Sequence, residues 1–164
     1  MTDIYKLFAE NSIEYERYDH PPIFTVKDVK QLTLNLPGAK TKNLFIRDGK
    51  GKQHFLVVVG HDKAVDLKAM QSLLGVSRLS FASPDRLMKY LGITPGAVSL
   101  LAVVNDVNKD VGVVVDKDLW ESEKYQFHPL VNTSTLIISK GNLNRFLDIT
   151  GHKIQVLEVP ARLM

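Results

Sequence analysis

The sequence predicts an α+β fold (mixed α/β) in which about seven strands form one curved, mixed and largely antiparallel sheet with helices packed outside it. The clearest evidence is the turn Asp48-Gly49-Lys50-Gly51, which joins two strand-like runs into a hairpin. Residues 55–59 are apolar on both faces, as in a central strand covered on both sides. No repeat, low-complexity tract or linker interrupts the 164 residues, so we expect a single domain over residues 1–164.

Helices are expected where a capping residue precedes an amphipathic run and a helix-ending residue follows it. The predicted N-terminal caps are Thr2, Thr25, Asp66, Ser83 and Ser139. The corresponding helix ends are Asn11, about Leu32, Gly75, Gly92 and Gly151. Strands are expected at short apolar or alternating runs bounded by turn residues. These runs are residues 15–18, 43–47, 53–59, 76–81, 97–104, 111–115, 135–138 and 154–159.

The composition excludes several kinds of chemistry. The chain has no cysteine, which excludes disulfides, thiolate catalysis and cysteine-ligated zinc. Its five histidines do not have metal-ligand spacing, so we expect no metal ion. A nucleophile elbow, a Walker loop and a dinucleotide fingerprint are also absent, which argues against covalent catalysis, nucleotide hydrolysis and a cofactor. The N-terminus resembles neither a signal peptide nor a membrane span, so we expect a cytoplasmic protein.

Charge is distributed unevenly along a chain whose net charge is only +3. Residues 27–52 contain seven basic residues and two acids, whereas residues 106–123 contain six acids and two lysines. A basic face of this kind can attract a polyanion such as nucleic acid. The same pattern also fits a solvated surface whose charge is merely uneven, and composition alone does not separate the two interpretations.

Three runs place a polar residue or a special backbone at the end of an apolar stretch: Lys42-Asn43-Leu44-Phe45, Gly92-Ile93-Thr94-Pro95-Gly96 and Phe127-His128-Pro129-Leu130-Val131-Asn132-Thr133. A lysine ammonium and the backbone N–H groups of a Pro-Gly turn can stabilise an oxyanion. Pro129 holds His128 in an extended conformation, which aims its ring. Taken alone, the residues also fit a solvated Lys42, an ordinary turn at Pro95-Gly96 and a structural His128.

In this order and at these separations, the three runs resemble the freestanding editing domains related to the insertion domain of bacterial prolyl-tRNA synthetase, the YbaK/ProX-type aminoacyl-tRNA deacylases. The resemblance covers nearly the whole chain and implies the fold of those prolyl-tRNA synthetase-associated domains. It implies that Lys42 lies in an active site near the terminal nucleotide of the substrate. For His128 it implies a site role, with positioning favoured over general base catalysis.

The same resemblance implies a set of substrate-binding residues: Phe24, Thr25, Asn43, Pro95, Gly96, Asn132 and Thr133. Phe24 and Thr25 would border the amino-acid pocket. One departure concerns the pocket rim, since the family often carries a proline near Leu100, after the residue corresponding to Ser99.

The expected function is a trans-editing deacylase that removes alanine from mischarged proline tRNA without a metal or cofactor. A synthetase pocket built for proline rejects a smaller amino acid weakly, since one methylene is worth only about 1–3 kcal/mol. The expected partner is the tRNA acceptor end, prolyl-tRNA synthetase is a further candidate, and neither DNA nor a membrane is expected. Two alternatives remain open: a deacylase of serine- or cysteine-charged tRNA, and a non-catalytic tRNA-binding or regulatory relative.

Overall fold

The computed structural model describes residues 3–22 and 36–162. The helices in these ranges are α1 (Ile4–Glu10), α2 (Leu67–Leu74), α3 (Pro84–Leu91), α4 (Lys117–Trp120) and α5 (Lys140–Thr150). The strands are β1 (Glu16–Asp19), β2 (Ala39–Arg47), β3 (His54–Gly60), β4 (Ser80–Phe81), β5 (Val111–Asp116), β6 (Lys124–Phe127), β7 (Ser134–Ser139) and β8 (Ile154–Leu157). In the two described ranges, no helix has both the length and the hydropathy that a membrane crossing requires.

The strands form one sheet in the order β1-β7-β6-β2-β3-β5-β8, and β4 pairs with the end of β2. β2 joins the two halves of the sheet, because Ala39 and Lys40 pair in parallel with β6 while the rest of the strand pairs antiparallel with β3. The antiparallel pairings are β1–β7, β2–β3, β2–β4 and β6–β7. The parallel pairings are β2–β6, β3–β5 and β5–β8. The predicted mixed, largely antiparallel sheet is therefore confirmed.

Each face of the sheet packs against its own hydrophobic cluster. Leu56 and Val58 of β3 belong to the first cluster, which also contains residues of α1, α3 and α5. Val57 and Val59 belong to the second and smaller cluster, in which Met70 of α2 is fully buried. Because side chains alternate along a strand, β3 is covered on both sides, as its apolar sequence predicts.

Capping residues begin three of the helices where the sequence places them. The side chains of Asp66, Ser83 and Ser139 accept hydrogen bonds from the first-turn N–H groups of α2, α3 and α5. In α1 this role falls to Asp3 instead of Thr2, and its carboxylate accepts from the N–H groups of Tyr5 and Lys6. The helix predicted to begin at Thr25 lies outside the described residues.

The prediction of a strand over residues 97–104 is wrong. Pro95–Ala97 and Leu100–Asn105 are two 3₁₀ helices, and the side chains of residues 100–103 are fully buried. A run that is apolar on every side has no periodicity, so the sequence does not distinguish a buried strand from a buried helix. The strand predicted over residues 76–81 is reduced to Ser80–Phe81, while β6 and the short helix α4 were not predicted.

Candidate active site

Lys42 lies on β2 with its side chain directed away from the first hydrophobic cluster. Alternation places it on the same face as Ile46, a member of the second cluster, whereas Phe45 belongs to the first. The half-buried Lys42 Nζ donates a hydrogen bond to the main-chain carbonyl of Lys63. Burial lowers the pKa of Lys42, the charge of Arg162 lowers it further, and Asp62 partly opposes them. Lys42 is therefore a positioned amine in a partly desolvated environment.

A cavity of about 340 Å³ adjoins this amine, and we call it the Lys42 cavity. The sheet contributes Lys42, Leu44 and Phe81, while residues 64–68 and Arg162 complete the lining. The segment that ends the described chain is fixed here, because Arg162 N–H donates to the Ala64 carbonyl over 2.8 Å. The cavity thus combines apolar walls with the positive charges of several side chains.

The loop that holds Lys42 is itself anchored by a buried ion pair. Lys63 Nζ lies 2.8 Å from a carboxylate oxygen of Asp116, whose side chain is only 4% exposed. The same Nζ donates to the Val159 carbonyl over 2.8 Å, and Val159 N–H donates back to Asp116 over 3.0 Å. These contacts fix the carbonyl that accepts from Lys42. Neither Lys63 nor Asp116 is predicted from the sequence, since partners this far apart leave no local pattern.

His128 follows β6 directly and is half-buried. Its Nδ1 donates to the Ser134 carbonyl over 3.0 Å, which leaves Nε2 as the acceptor of the neutral ring. Burial lowers the pKa of His128, the Ser134 carbonyl partly opposes this shift, and His20 adds to it. The neutral ring is therefore favoured near neutral pH.

His20 is a second imidazole at this position that the sequence analysis did not select. Its ring lies edge-on to that of His128, with centroids 6.2 Å apart. His20 Nδ1 donates to the Pro21 carbonyl over 2.9 Å, and Nε2 is hydrogen-bonded to the hydroxyl of Thr135 over 2.7 Å. The main-chain carbonyl of Thr133 accepts from His20 N–H over 2.9 Å. The predicted residue Thr133 therefore contributes its backbone to this histidine pair.

Lys42 lies on β2, whereas His128 lies one residue beyond the end of β6 and does not line the Lys42 cavity. Lys40 pairs with Gln126 on the parallel strand β6, and Lys42 and His128 each follow two residues further along. Side-chain alternation fixes the direction of Lys42, but it does not extend to His128, which lies outside β6. The β2–β6 ladder covers only residues 39–40 and 125–126, so the two strands separate beyond it.

Asn43 points to the opposite face and does not line the Lys42 cavity. Its Oδ1 accepts from Leu100 N–H over 2.9 Å, and its Nδ2 donates to Thr41 Oγ1 over 3.2 Å. Asn43 therefore anchors the start of the second 3₁₀ helix. A proline in place of Leu100 could not make this bond, because it has no N–H.

Of the remaining predicted site residues, those that the structure describes lie in two turns. Pro95 and Gly96 form a 3₁₀ turn in which Ala97 N–H donates to the Thr94 carbonyl over 3.0 Å. Asn132 is half-buried in the turn between β6 and β7. Phe24 and Thr25 lie outside the described residues. Among the described residues, no three His, Asp or Glu side chains are grouped as metal ligands would be.

Comparison with known proteins agrees with this architecture. Residues 20–146 match the model of the aminoacyl-tRNA editing domain. The chain is 39% identical over 150 residues to the prolyl-tRNA editing protein ProX of Acetoanaerobium sticklandii, which covers 92% of each chain. It is 35% identical over 148 residues to the prolyl-tRNA synthetase associated domain-containing protein 1 of Bos taurus, covering 88% of this chain and 86% of that one. The chain therefore belongs to the aminoacyl-tRNA editing domain family.

Solved structures share the fold at low sequence identity. The hypothetical protein APE2540 gives a TM-score of 0.71 at 19% identity, covering 93% of this chain and 97% of that chain. A candidate trans-editing enzyme for prolyl tRNA synthetase gives 0.68 at 19% identity, covering 94% and 93%. These similarities confirm the expected fold of the editing domains.

Proposed function

We propose that this protein is a trans-editing deacylase that hydrolyses the ester of mischarged proline tRNA, with alanine as the amino acid removed. The observation that supports this most directly is the positioned Lys42 amine at the wall of a partly apolar cavity. Membership of the aminoacyl-tRNA editing family supports the reaction class. The name of the ProX relative supports proline tRNA as the substrate.

In the proposed reaction, a water molecule attacks the ester carbonyl that joins the amino acid to the terminal ribose. The new C–O bond creates a tetrahedral oxyanion, and the ester bond to the ribose oxygen then breaks. The proton lost by the water ends on that ribose oxygen, which gives free amino acid and uncharged tRNA. An ester activated by its neighbouring hydroxyl needs no covalent enzyme intermediate, only positioning and charge stabilisation.

Lys42 would stabilise the oxyanion. The Lys63 carbonyl accepts one of the three ammonium hydrogens, which fixes Nζ and leaves two donors for substrate. A charge in a partly desolvated site acts more strongly on a developing oxyanion than one in bulk water. His128 would act as a positioning residue, because its neutral Nε2 can accept from the attacking water or from the substrate amine.

The apolar part of the wall beside Lys42 would provide the selection by size, since the cavity as a whole is larger than either amino acid. Leu44, Val65 and Leu67 are apolar and contribute no group that favours one small amino acid by hydrogen bonding. We therefore propose that alanine is admitted and proline is excluded sterically, and that the whole chain acts as one editing domain on the tRNA acceptor end. Prolyl-tRNA synthetase is proposed as a partner on the basis of the relatives' names alone.

The decisive experiment is a deacylation panel with proline tRNA charged with alanine, serine, cysteine or proline. We expect fast release of alanine, slow release of proline, and loss of activity in Lys42→Ala. Lys6→Ala is the matched control, because Lys6 lies on an exposed face of α1. Preference for serine or cysteine would contradict the alanine assignment, and inactivity on every substrate would indicate a binding module. Activity retained in excess EDTA is expected, and its loss would refute metal independence.

A further inference from the structure

His20 lies where β1 ends, against the loop of residues 128–133 that joins β6 to β7, which we call the β6–β7 loop. β1 and β7 are antiparallel, and their register pairs Asp19 with Ser134. One residue further along, the main-chain N–H of His20 donates to the Thr133 carbonyl. The first residue beyond β1 is therefore bonded to the last residue of the β6–β7 loop.

The β6–β7 loop has a constrained backbone. Leu130 has a φ of 68°, in the left-handed region that residues other than glycine rarely adopt. Its half-buried side chain packs against the first hydrophobic cluster. His128 Nδ1 donates across the base of the loop to the Ser134 carbonyl. Because strained backbone persists only where the surrounding contacts hold it, these contacts together fix one conformation of the loop.

The ring of His20 is fixed by hydrogen bonds at both of its nitrogens. Nδ1 donates to the Pro21 carbonyl, and Nε2 is bonded to the hydroxyl of Thr135. Thr135 belongs to β7 and is only 3% exposed, so this hydroxyl is itself held in place. An imidazole with both nitrogens occupied has no donor or acceptor left for a substrate. Any effect of His20 on a reaction must therefore pass through a neighbouring group.

That neighbour is His128, whose ring meets the His20 ring edge to face. His128 has one hydrogen bond, at Nδ1, and the torsion that turns an imidazole about its Cβ–Cγ bond is broad. A single bond at one nitrogen therefore leaves the direction of Nε2 loosely defined. The fixed ring of His20 occupies the space into which the His128 ring would otherwise turn.

We propose that His20 is a positioning residue for the deacylation: its ring, fixed on Thr135, holds the His128 ring in the orientation in which Nε2 can accept a hydrogen bond. His20 would then contribute to kcat without touching the substrate. The effect on deacylation rests on the proposed function, whereas the hold of one ring on the other does not.

The first test examines the His128 ring directly by NMR. Imidazole nitrogen chemical shifts distinguish the Nδ1–H tautomer from the Nε2–H tautomer. We expect the Nδ1–H tautomer in the wild type and a mixture of both in His20→Ala, because a ring that is free to turn exchanges the Ser134 carbonyl for water. Glu16→Ala is the matched control, since it truncates an exposed side chain of β1, and it should keep the wild-type tautomer.

The second test is kinetic and uses alanyl-tRNA. His20→Ala should lower kcat about fivefold, because a displaced group loses part of its effect on the reaction. KM should stay within about twofold of wild type. Thr135→Val removes the hydroxyl that holds His20 and should lower kcat about threefold, whereas Thr135→Ser keeps a hydroxyl and should restore the wild-type value. In a His128→Ala background, His20→Ala should cause no further loss, since residues that act through one another are not additive.

The outcomes separate this inference from the proposed function. An unchanged tautomer or an unchanged kcat in His20→Ala would overturn the positioning role, and so would an equal loss of kcat with and without His128. If His20→Ala does not fold, the comparison of Thr135→Val with Thr135→Ser decides, and equal kcat values in that pair would overturn the role. A wild-type protein that releases no amino acid from any tRNA, but whose His128 tautomer depends on His20, would refute the deacylase and support the hold of His20 on His128.

Discussion

Two lysines and two histidines of the described residues can be compared by the groups that their side chains contact. This difference separates the candidate site from the scaffold. Lys42 and His128 are each fixed by a main-chain carbonyl, that of Lys63 for the lysine and that of Ser134 for the histidine. Lys63 and His152 instead contact buried carboxylates. A lysine or histidine that is held by a main-chain carbonyl can still act on a substrate, whereas one that is paired with a buried carboxylate cannot.

The scaffold pairs are closed units. His152 Nε2 lies 2.9 Å from Asp106, and both side chains are 3% exposed. Asp106 also accepts from the N–H groups of Asp110 and Val111, over 3.0 and 2.9 Å. Such a carboxylate has little capacity left for a ligand. A main-chain carbonyl, by contrast, orients Lys42 without neutralising its charge.

The sharpest test of this comparison substitutes methionine for each lysine. Lys63→Met leaves the Asp116 carboxylate buried without its cation, so we expect a loss of about 3 kcal/mol in the free energy of unfolding, measured with urea. Lys42→Met should leave unfolding within about 1 kcal/mol of wild type and lower kcat/KM about 100-fold. The opposite assignment, with Lys63→Met stable and Lys42→Met unfolded, would contradict the division into site and scaffold.

The histidines give a smaller effect of the same kind. His152→Ala should cost about 2 kcal/mol of stability, because Asp106 loses a buried partner. His128→Ala should lower kcat/KM about tenfold, less than Lys42→Met, since His128 is expected to position and not to transfer a proton. A loss equal to that of Lys42→Met, together with loss of an acid limb that lies below the ordinary histidine pKa of about 6.5, would identify a general base.

One contribution to the pH dependence of stability follows from the lowered pKa of His128. Because the folded pKa lies below the unfolded value of about 6.5, the unfolded chain binds the proton first. The contribution of His128 to stability is therefore complete above about pH 6.5 and decreases as the pH falls below it. His128→Ala should show a weaker decrease over this range in urea unfolding, and an identical decrease would assign the effect to other groups.

Local patterns predicted much of this fold. The β2–β3 hairpin follows from its turn sequence, and α2, α3 and α5 follow from their caps. The strand predicted over residues 97–104 is wrong because a largely buried run has no polar face to set a period. The 3₁₀ geometry there depends on tertiary contacts, including the bond from Leu100 N–H to Asn43.

The candidate site was less predictable than the fold. Lys42 and His128 were selected through the family resemblance, and their roles remain predictions. Asn43 was grouped with Lys42 by sequence, yet adjacent residues of a strand face opposite sides. His20 could not be selected, because its contact with Thr135 spans 115 residues of sequence. Pairings at such distance depend on the sheet order, which single-sequence patterns do not determine.

The basic residues between positions 36 and 52, the described part of the basic stretch, are divided in the structure. Lys50 and Lys52 lie in the turn beyond Arg47, so β2 separates them from Lys42 by about 17 Å or more. That exceeds the screening length of about 8 Å at physiological salt. Lys68 and Arg162, outside the basic stretch, line the cavity instead. Charge at the cavity therefore comes from Lys42 together with two residues that lie outside the basic stretch.

The smallest effect predicted concerns salt. Single-stranded contacts release counterions with a slope of about −0.7 per phosphate, so two contacts imply roughly a sevenfold rise in KM for alanyl-tRNA between 50 and 200 mM salt. Steric exclusion of proline does not depend on ionic strength, so the ratio of alanyl to prolyl hydrolysis should stay nearly constant.

Lys68→Gln should reduce the salt slope, whereas Lys50→Gln, in the distant turn, should change it little. A KM that does not vary with salt would refute phosphate binding at the cavity. A slope reduced only by Lys50→Gln would move the tRNA contact to the hairpin turn, and appreciable prolyl-tRNA hydrolysis would refute the size sieve.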